Sequence, residues 1–142
     1  MRQEGRDGDL DVVVASGTAD DLDWFENTAG NGSAWTEHQS DGSFDGVACI
    51  RAADVDGDGD LDVLASALGT SDDIVWYENT GGDGSAWSKH NIDTNFADPR
   101  VVEAADIDGD GDLDVYATGT GFTGAESVYV IDMDTVSMPI YY

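Results

Sequence analysis

The chain repeats itself at an interval of 52 residues, and that period limits its fold more than any other property of the sequence. Trp24 and Trp76, Trp35 and Trp87, His38 and His90, Phe44 and Phe96, and Asp54 and Asp106 are all separated by this interval. Residues 20–53 align without gaps with residues 72–105, and about half of the aligned positions are identical. A fixed period near 50 residues signals a propeller or a solenoid, in which each unit buries its apolar faces against its neighbours. Each unit contains four strand-like pieces separated by turn residues. In the middle unit these are residues 47–53, 61–67, 74–79 and 86–92. Between the last two lies Thr80-Gly81-Gly82-Asp83-Gly84-Ser85, a glycine-rich hairpin turn. No window shows a helical period. Four antiparallel strands per repeat make a propeller blade. The expected fold is therefore all-β, with about three four-stranded antiparallel blades spanning residues 1–142. Blade 1 covers about residues 1–46, blade 2 about 47–98 and blade 3 about 99–142, the first and last being incomplete.

Within that frame the stretch Asp54-Val55-Asp56-Gly57-Asp58-Gly59-Asp60-Leu61-Asp62 recurs as Asp106-Ile107-Asp108-Gly109-Asp110-Gly111-Asp112-Leu113-Asp114. Acids at positions one, three, five and nine, with glycine at six, describe a loop that folds back on itself. Carboxylates held that close repel one another unless a cation lies among them. Oxygen-only ligands on such a loop suit Ca²⁺, which takes six to eight oxygens at about 2.3–2.6 Å. The expected side-chain ligands are Asp54, Asp56, Asp58 and Asp62, joined by the Asp60 carbonyl. In the second loop they are Asp106, Asp108, Asp110 and Asp114, joined by the Asp112 carbonyl. An EF-hand begins in the same way but requires an acid at position twelve and a helix after the loop. Position twelve is Ala65 in one copy and Ala117 in the other, and the segments around them are β-prone. These loops are expected to run straight into strands.

The composition is extreme in charge: 31 acidic residues face 5 basic ones, for a formal net charge of −26. Such a field disfavours nucleic acid and anionic membranes, whose phosphates need basic side chains. Part of the acid is assigned to metal and the rest to a solvated face. With 40% hydrophobic residues and four tryptophans the chain has the material for a packed core. No apolar run reaches membrane length, so no membrane insertion is expected. Cys49 is the sole cysteine and sits in the apolar run Val47-Ala48-Cys49-Ile50, where a buried small hydrophobe is expected.

The first and third units depart from the middle one. Asp7-Gly8-Asp9-Leu10-Asp11 matches Asp58 through Asp62, but Gln3 and Gly5 stand where the first two acids would be and Arg6 adds a positive charge. That loop is expected to bind Ca²⁺ poorly or not at all, and its unit to keep only three strands, at residues 10–15, 22–27 and 34–39. The third unit begins normally at Val101 and diverges after Thr118. Residues 126–132 read as its third strand and residues 136–142 as a fourth that Pro139 confines to an edge.

The repeat resembles the FG-GAP/VCBS family, the integrin α-chain type of propeller repeat. The residues that carry the resemblance are Ala53 through Val63, the strand Ile74-Val75-Trp76-Tyr77-Glu78-Asn79-Thr80, and their counterparts at residues 105–115 and 22–28. The resemblance implies four-stranded blades with Ca²⁺ between a blade's first and second strands. It also implies an extracellular or cell-surface setting and a scaffold role in binding proteins or carbohydrates. Closed propellers have about four to eight blades, so three open-ended blades are expected either to be a piece of a longer propeller or, the favoured reading, to assemble head to tail as a homo-oligomer. A dimer gives about six blades.

Other candidate chemistry is thin. Gly119-Thr120-Gly121-Phe122-Thr123-Gly124 fits G-x-G-x-x-G, but a strand-like segment comes after it where a nucleotide site needs a helix. His38 and His90 stand near repeated tryptophans and are expected to pack or hydrogen-bond. No triad motif accompanies them. The tryptophans are expected in the blade core, with sugar stacking as the alternative. Asn31-Gly32-Ser33 is a lone glycosylation sequon in a turn. The expected function is non-enzymatic: a Ca²⁺-binding, self-assembling structural, adhesion or ligand-binding scaffold. A lectin-like or carbohydrate-active propeller is the alternative.

Overall fold

The computed structural model describes residues 2–4, 8–70, 72–120, 127–131 and 140–141. They form three four-stranded antiparallel sheets, each built from strands consecutive in the chain. The first holds β1 (Arg2–Glu4), β2 (Leu10–Ser16), β3 (Asp21–Glu26) and β4 (Thr36–Asp41). The second holds β5 (Val47–Ala53), β6 (Asp62–Ala67), β7 (Ile74–Glu78) and β8 (Ser88–Asp93). The third holds β9 (Val101–Ala105), β10 (Asp114–Gly119), β11 (Ser127–Ile131) and β12 (Ile140–Tyr141). These are the meandering blades of a propeller.

From sequence, the first unit has only three strands. In the structure Arg2–Glu4 adds a fourth, pairing with Leu10–Val12 of β2. Gln3 pairs with Asp11 as Ala53 pairs with Asp62. Gln3 therefore lies within a strand that runs on to Glu4, rather than at the first position of a metal loop. The connection from β1 to β2 spans residues 5–9, three residues fewer than the connection 54–61 between β5 and β6. In the third blade β12 lies at the edge of its sheet, while Pro139 and Gly121–Gly124 fall outside the described residues.

The blades stack through two apolar clusters. Val13, Leu22 and Trp24 of the first blade meet Val63, Ala65, Val75 and Tyr77 of the second, with Phe44 from the connection between them. Leu64 and Ile74 of the second blade meet Val102, Val115 and Ala117 of the third, with Phe96 in the equivalent connection. The alternation along β6 explains this double service: Val63 and Ala65 face one neighbour, and Leu64 faces the other. All six residues of β6 are buried, as a strand covered on both faces requires. Cys49 is half-buried and packs against the second cluster. The hairpin between β7 and β8 presses Gly84 against the Trp24 indole so closely that an added Cβ would lie 2.7 Å from the ring. Glycine is needed there for that approach and for its φ of +73°.

Candidate metal centres

Both aspartate-rich loops connect the first strand of a blade to the second: one joins β5 to β6, the other β9 to β10. Each runs directly into a strand, as the EF-hand exclusion requires. The glycines at positions four and six turn the chain through the left-handed region, with φ of 75° and 96° at Gly57 and Gly59 and of 85° and 107° at Gly109 and Gly111. The loop is then knitted by its own carboxylates. Asp54 Oδ2 accepts the Gly59 amide at 3.1 Å, Asp56 Oδ1 the Asp58 amide at 3.2 Å, and Asp58 Oδ1 the Asp60 amide at 2.9 Å. In the second loop Asp106 accepts the amides of Gly109 and Gly111, Asp108 that of Asp110, and Asp110 that of Asp112.

Carboxylate oxygens of Asp54, Asp56 and Asp58 lie within 4.8 Å of one another, and so do those of Asp106, Asp108 and Asp114. Asp54 Oδ1 is buried without a hydrogen-bond partner. Burial pushes the Asp56 carboxyl above its usual range, and the nearby charges of Asp58, Glu78 and Asp54 push it further. Such a set of crowded hard oxygens, one of them buried without a partner, fits a divalent cation.

Position nine behaves differently from the others. Asp62 is 1% exposed, and its two oxygens accept the amides of Val55 at 3.0 Å and Asn79 at 2.8 Å. One carboxylate thus ties the loop to the end of β7. Burial pushes the Asp62 carboxyl up, an effect that those two amides only partly offset. Asp114 accepts the Ile107 amide in the same way, at 2.8 Å, while also standing among the three clustered acids of its loop. Asp11, in the first blade, accepts the Asn27 amide at 2.9 Å. The counterpart of Asp62 is therefore kept in a blade whose loop lacks the first two acids of the motif, and it ties the same strand end there.

Asn27 and Asn79 belong to no metal or catalytic motif, yet each organises the hairpin after it. Asn79 Oδ1 accepts the Gly84 amide at 3.0 Å, and Asn27 Oδ1 the Gly32 amide at 2.9 Å. The signal is present in the sequence, since both asparagines recur at the 52-residue interval. The repeated histidines stack on the tryptophans directly across the sheet. Ring centroids are 4.4 Å apart for Trp24 and His38 and 4.5 Å for Trp76 and His90. Each histidine also meets a glutamate, Glu26 at 3.0 Å and Glu78 at 2.7 Å. Trp35 and Trp87 donate their indole N–H to Gly32 and Gly84 carbonyls within the hairpins.

Between the two loops a cleft of about 500 Å³ opens, lined by residues 54–57 on one side, residues 111–113 on the other, and Trp76. It combines acidic and apolar surface with an aromatic ring.

Comparison with known proteins agrees with this architecture. The model of the FG-GAP-like repeat matches residues 6–65 and again residues 64–117. No curated protein matches the chain. Among solved structures, a fucose lectin from Kordia zhangzhouensis, in complex with methyl-fucoside, superposes with a TM-score of 0.60 at 14% sequence identity. The match covers 99% of this chain and 95% of the lectin chain, and at this identity it speaks for the fold.

Proposed function

Because this chain belongs to the FG-GAP-like repeat family, we propose that it is a non-enzymatic, calcium-stabilised propeller module. It acts outside the cell as a binding scaffold, and its open ends close into a ring by self-association. The observation that carries the calcium reading is the convergence of three carboxylate oxygens within 4.8 Å in each intact loop. Asp54, Asp56, Asp58 and Asp62 would hold one ion with the Asp60 carbonyl. Asp106, Asp108, Asp110 and Asp114 would hold the second with the Asp112 carbonyl. Bound Ca²⁺ neutralises the crowded acids and fixes the link between a blade's first two strands. An ion that binds only the folded chain stabilises it by about 2.7 kcal/mol per site at a hundredfold excess over its dissociation constant.

Asp58→Ala and Asp110→Ala each remove an exposed loop carboxylate that accepts a single backbone amide, so their cost without metal is modest beside the loss of an ion. Each is expected to lower the melting temperature strongly in Ca²⁺ and little in chelator. Equal losses in the two buffers, measured by differential scanning calorimetry, would count against the metal.

A second reading, glycan binding, is favoured by the cleft beside Trp76 together with the likeness to a fucose lectin. Carboxylates accept hydrogen bonds from sugar hydroxyls, and aromatic rings pack on the apolar faces of sugars. Binding on a glycan array, lost with Trp76→Phe in a protein that keeps the parental circular dichroism spectrum, is the result this reading expects. A blank array contradicts it.

A further inference from the structure

The middle blade has a neighbour on both faces, so it shows what each position of a blade does once covered. Among the described residues, the outer blades have a neighbouring blade on one face only. Val14 is 40% exposed, whereas Ala65, which holds the same pairing position in the second blade, is 0% exposed and belongs to the cluster shared with the first blade. Trp35 is 44% exposed, whereas Trp87 packs against that same cluster. At the other end Val101 is 38% exposed, whereas its counterpart Cys49 packs against the cluster shared with the third blade. Ile107 is 49% exposed, and its counterpart Val55 is 4% exposed within that cluster. Leu10, a further exposed large apolar residue, alternates onto the same side of β2 as Val14.

Scattered exposed apolar side chains need no explanation. These are not scattered. At the first blade they sit where the second blade receives its predecessor, and at the third blade where the second receives its successor. The two ends are thus the two halves of an interface that the chain already forms twice within itself.

We propose that they meet. The third blade of one chain packs on the first blade of a second copy, head to tail, and two chains close a ring of about six blades, within the four to eight that propellers use. This assignment rests on the ring reading above and names the faces that make it. A contact in which each chain gives a different face also sets it apart from a dimer that pairs like with like.

Sedimentation equilibrium of the 142-residue chain in Ca²⁺ should give the mass of two chains. Val14→Asp alone and Val101→Asp alone should each give the mass of one. An equimolar mixture of the two variants should recover the two-chain mass. The intact third-blade face of the Val14→Asp chain can then dock on the intact first-blade face of the Val101→Asp chain. A monomeric parent, a dimer that survives either substitution, or a mixture that stays monomeric overturns the proposal. Trp35→Asp and Val101→Lys replace the first pair if either of those loses the parental circular dichroism spectrum. Melting in Ca²⁺ and in chelator is recorded on the same samples. A monomer that keeps its calcium-dependent melting would remove the ring and leave the calcium reading in place, whereas a dimer indifferent to calcium would do the reverse.

Discussion

Asp41, near the end of the first blade, accepts hydrogen bonds from two residues of the second: Tyr77 Oη at 2.8 Å and Lys89 Nζ at 3.0 Å. The Lys89 ammonium also lies 4.7 Å above the centre of the Phe44 ring, so the chain's one lysine is held by charge and by an aromatic face. Burial pushes the Asp41 carboxyl up, but the bonds from Tyr77, Lys89 and Ser43 together outweigh it and hold the group below its usual 3.8. The Tyr77 phenol is pushed up, by burial first and by Asp41 next. A depressed carboxylate contributes stability above its unfolded pKa and loses it as pH falls through the folded value. Asp41→Asn should therefore cost about 1–2 kcal/mol at pH 7, and the gap to the parent should narrow below about pH 4. Urea denaturation at pH 7 and pH 3 measures both. An equal difference at the two values would mean that the carboxylate's charge is not what matters. The lysine is conspicuous in the sequence, but its partner is not, because it lies 48 residues away across a blade interface.

At the scale of elements, much was legible because strands covered by neighbours leave a strong pattern. Residues 47–53 are β5 and β7 begins at Ile74, as expected, while β3 begins at Asp21 and β11 at Ser127, each one residue from the expected start. The fourth strands begin two residues later than the sequence indicates, at Thr36 and Ser88. Trp35 and Trp87 look like strand residues, yet their indoles are spent on the hairpin carbonyls of Gly32 and Gly84. β1 could not be read from Arg2-Gln3-Glu4, which has neither alternation nor apolar content. Its pairing with β2 defines it as a strand. The aspartate loops were plain from spacing alone, but the second task of position nine was hidden behind the first. A metal motif gives every acid in it a reason to be there. Only Asp11, retained in a blade without the full loop, shows that this acid also holds the end of the third strand.

At the scale of the molecule, three blades share two interfaces, and the first and third carry exposed apolar side chains at the positions that the second blade buries. The periodicity of the sequence announced the blades, while that exposure could be read only by comparing equivalent positions in space. The acid content has a direct consequence here. A formal charge of −26 on 142 residues opposes compaction by self-repulsion, and the two intact loops concentrate that repulsion where a blade's first two strands are joined. The central claim is that calcium relieves it at two places per chain. Isothermal titration calorimetry of chelator-treated protein with CaCl₂ tests this most directly. The account predicts two ions per chain, one for each clustered loop, falling to one in Asp58→Ala. Absence of binding at millimolar Ca²⁺, or a stoichiometry that Asp58→Ala leaves unchanged, would contradict it.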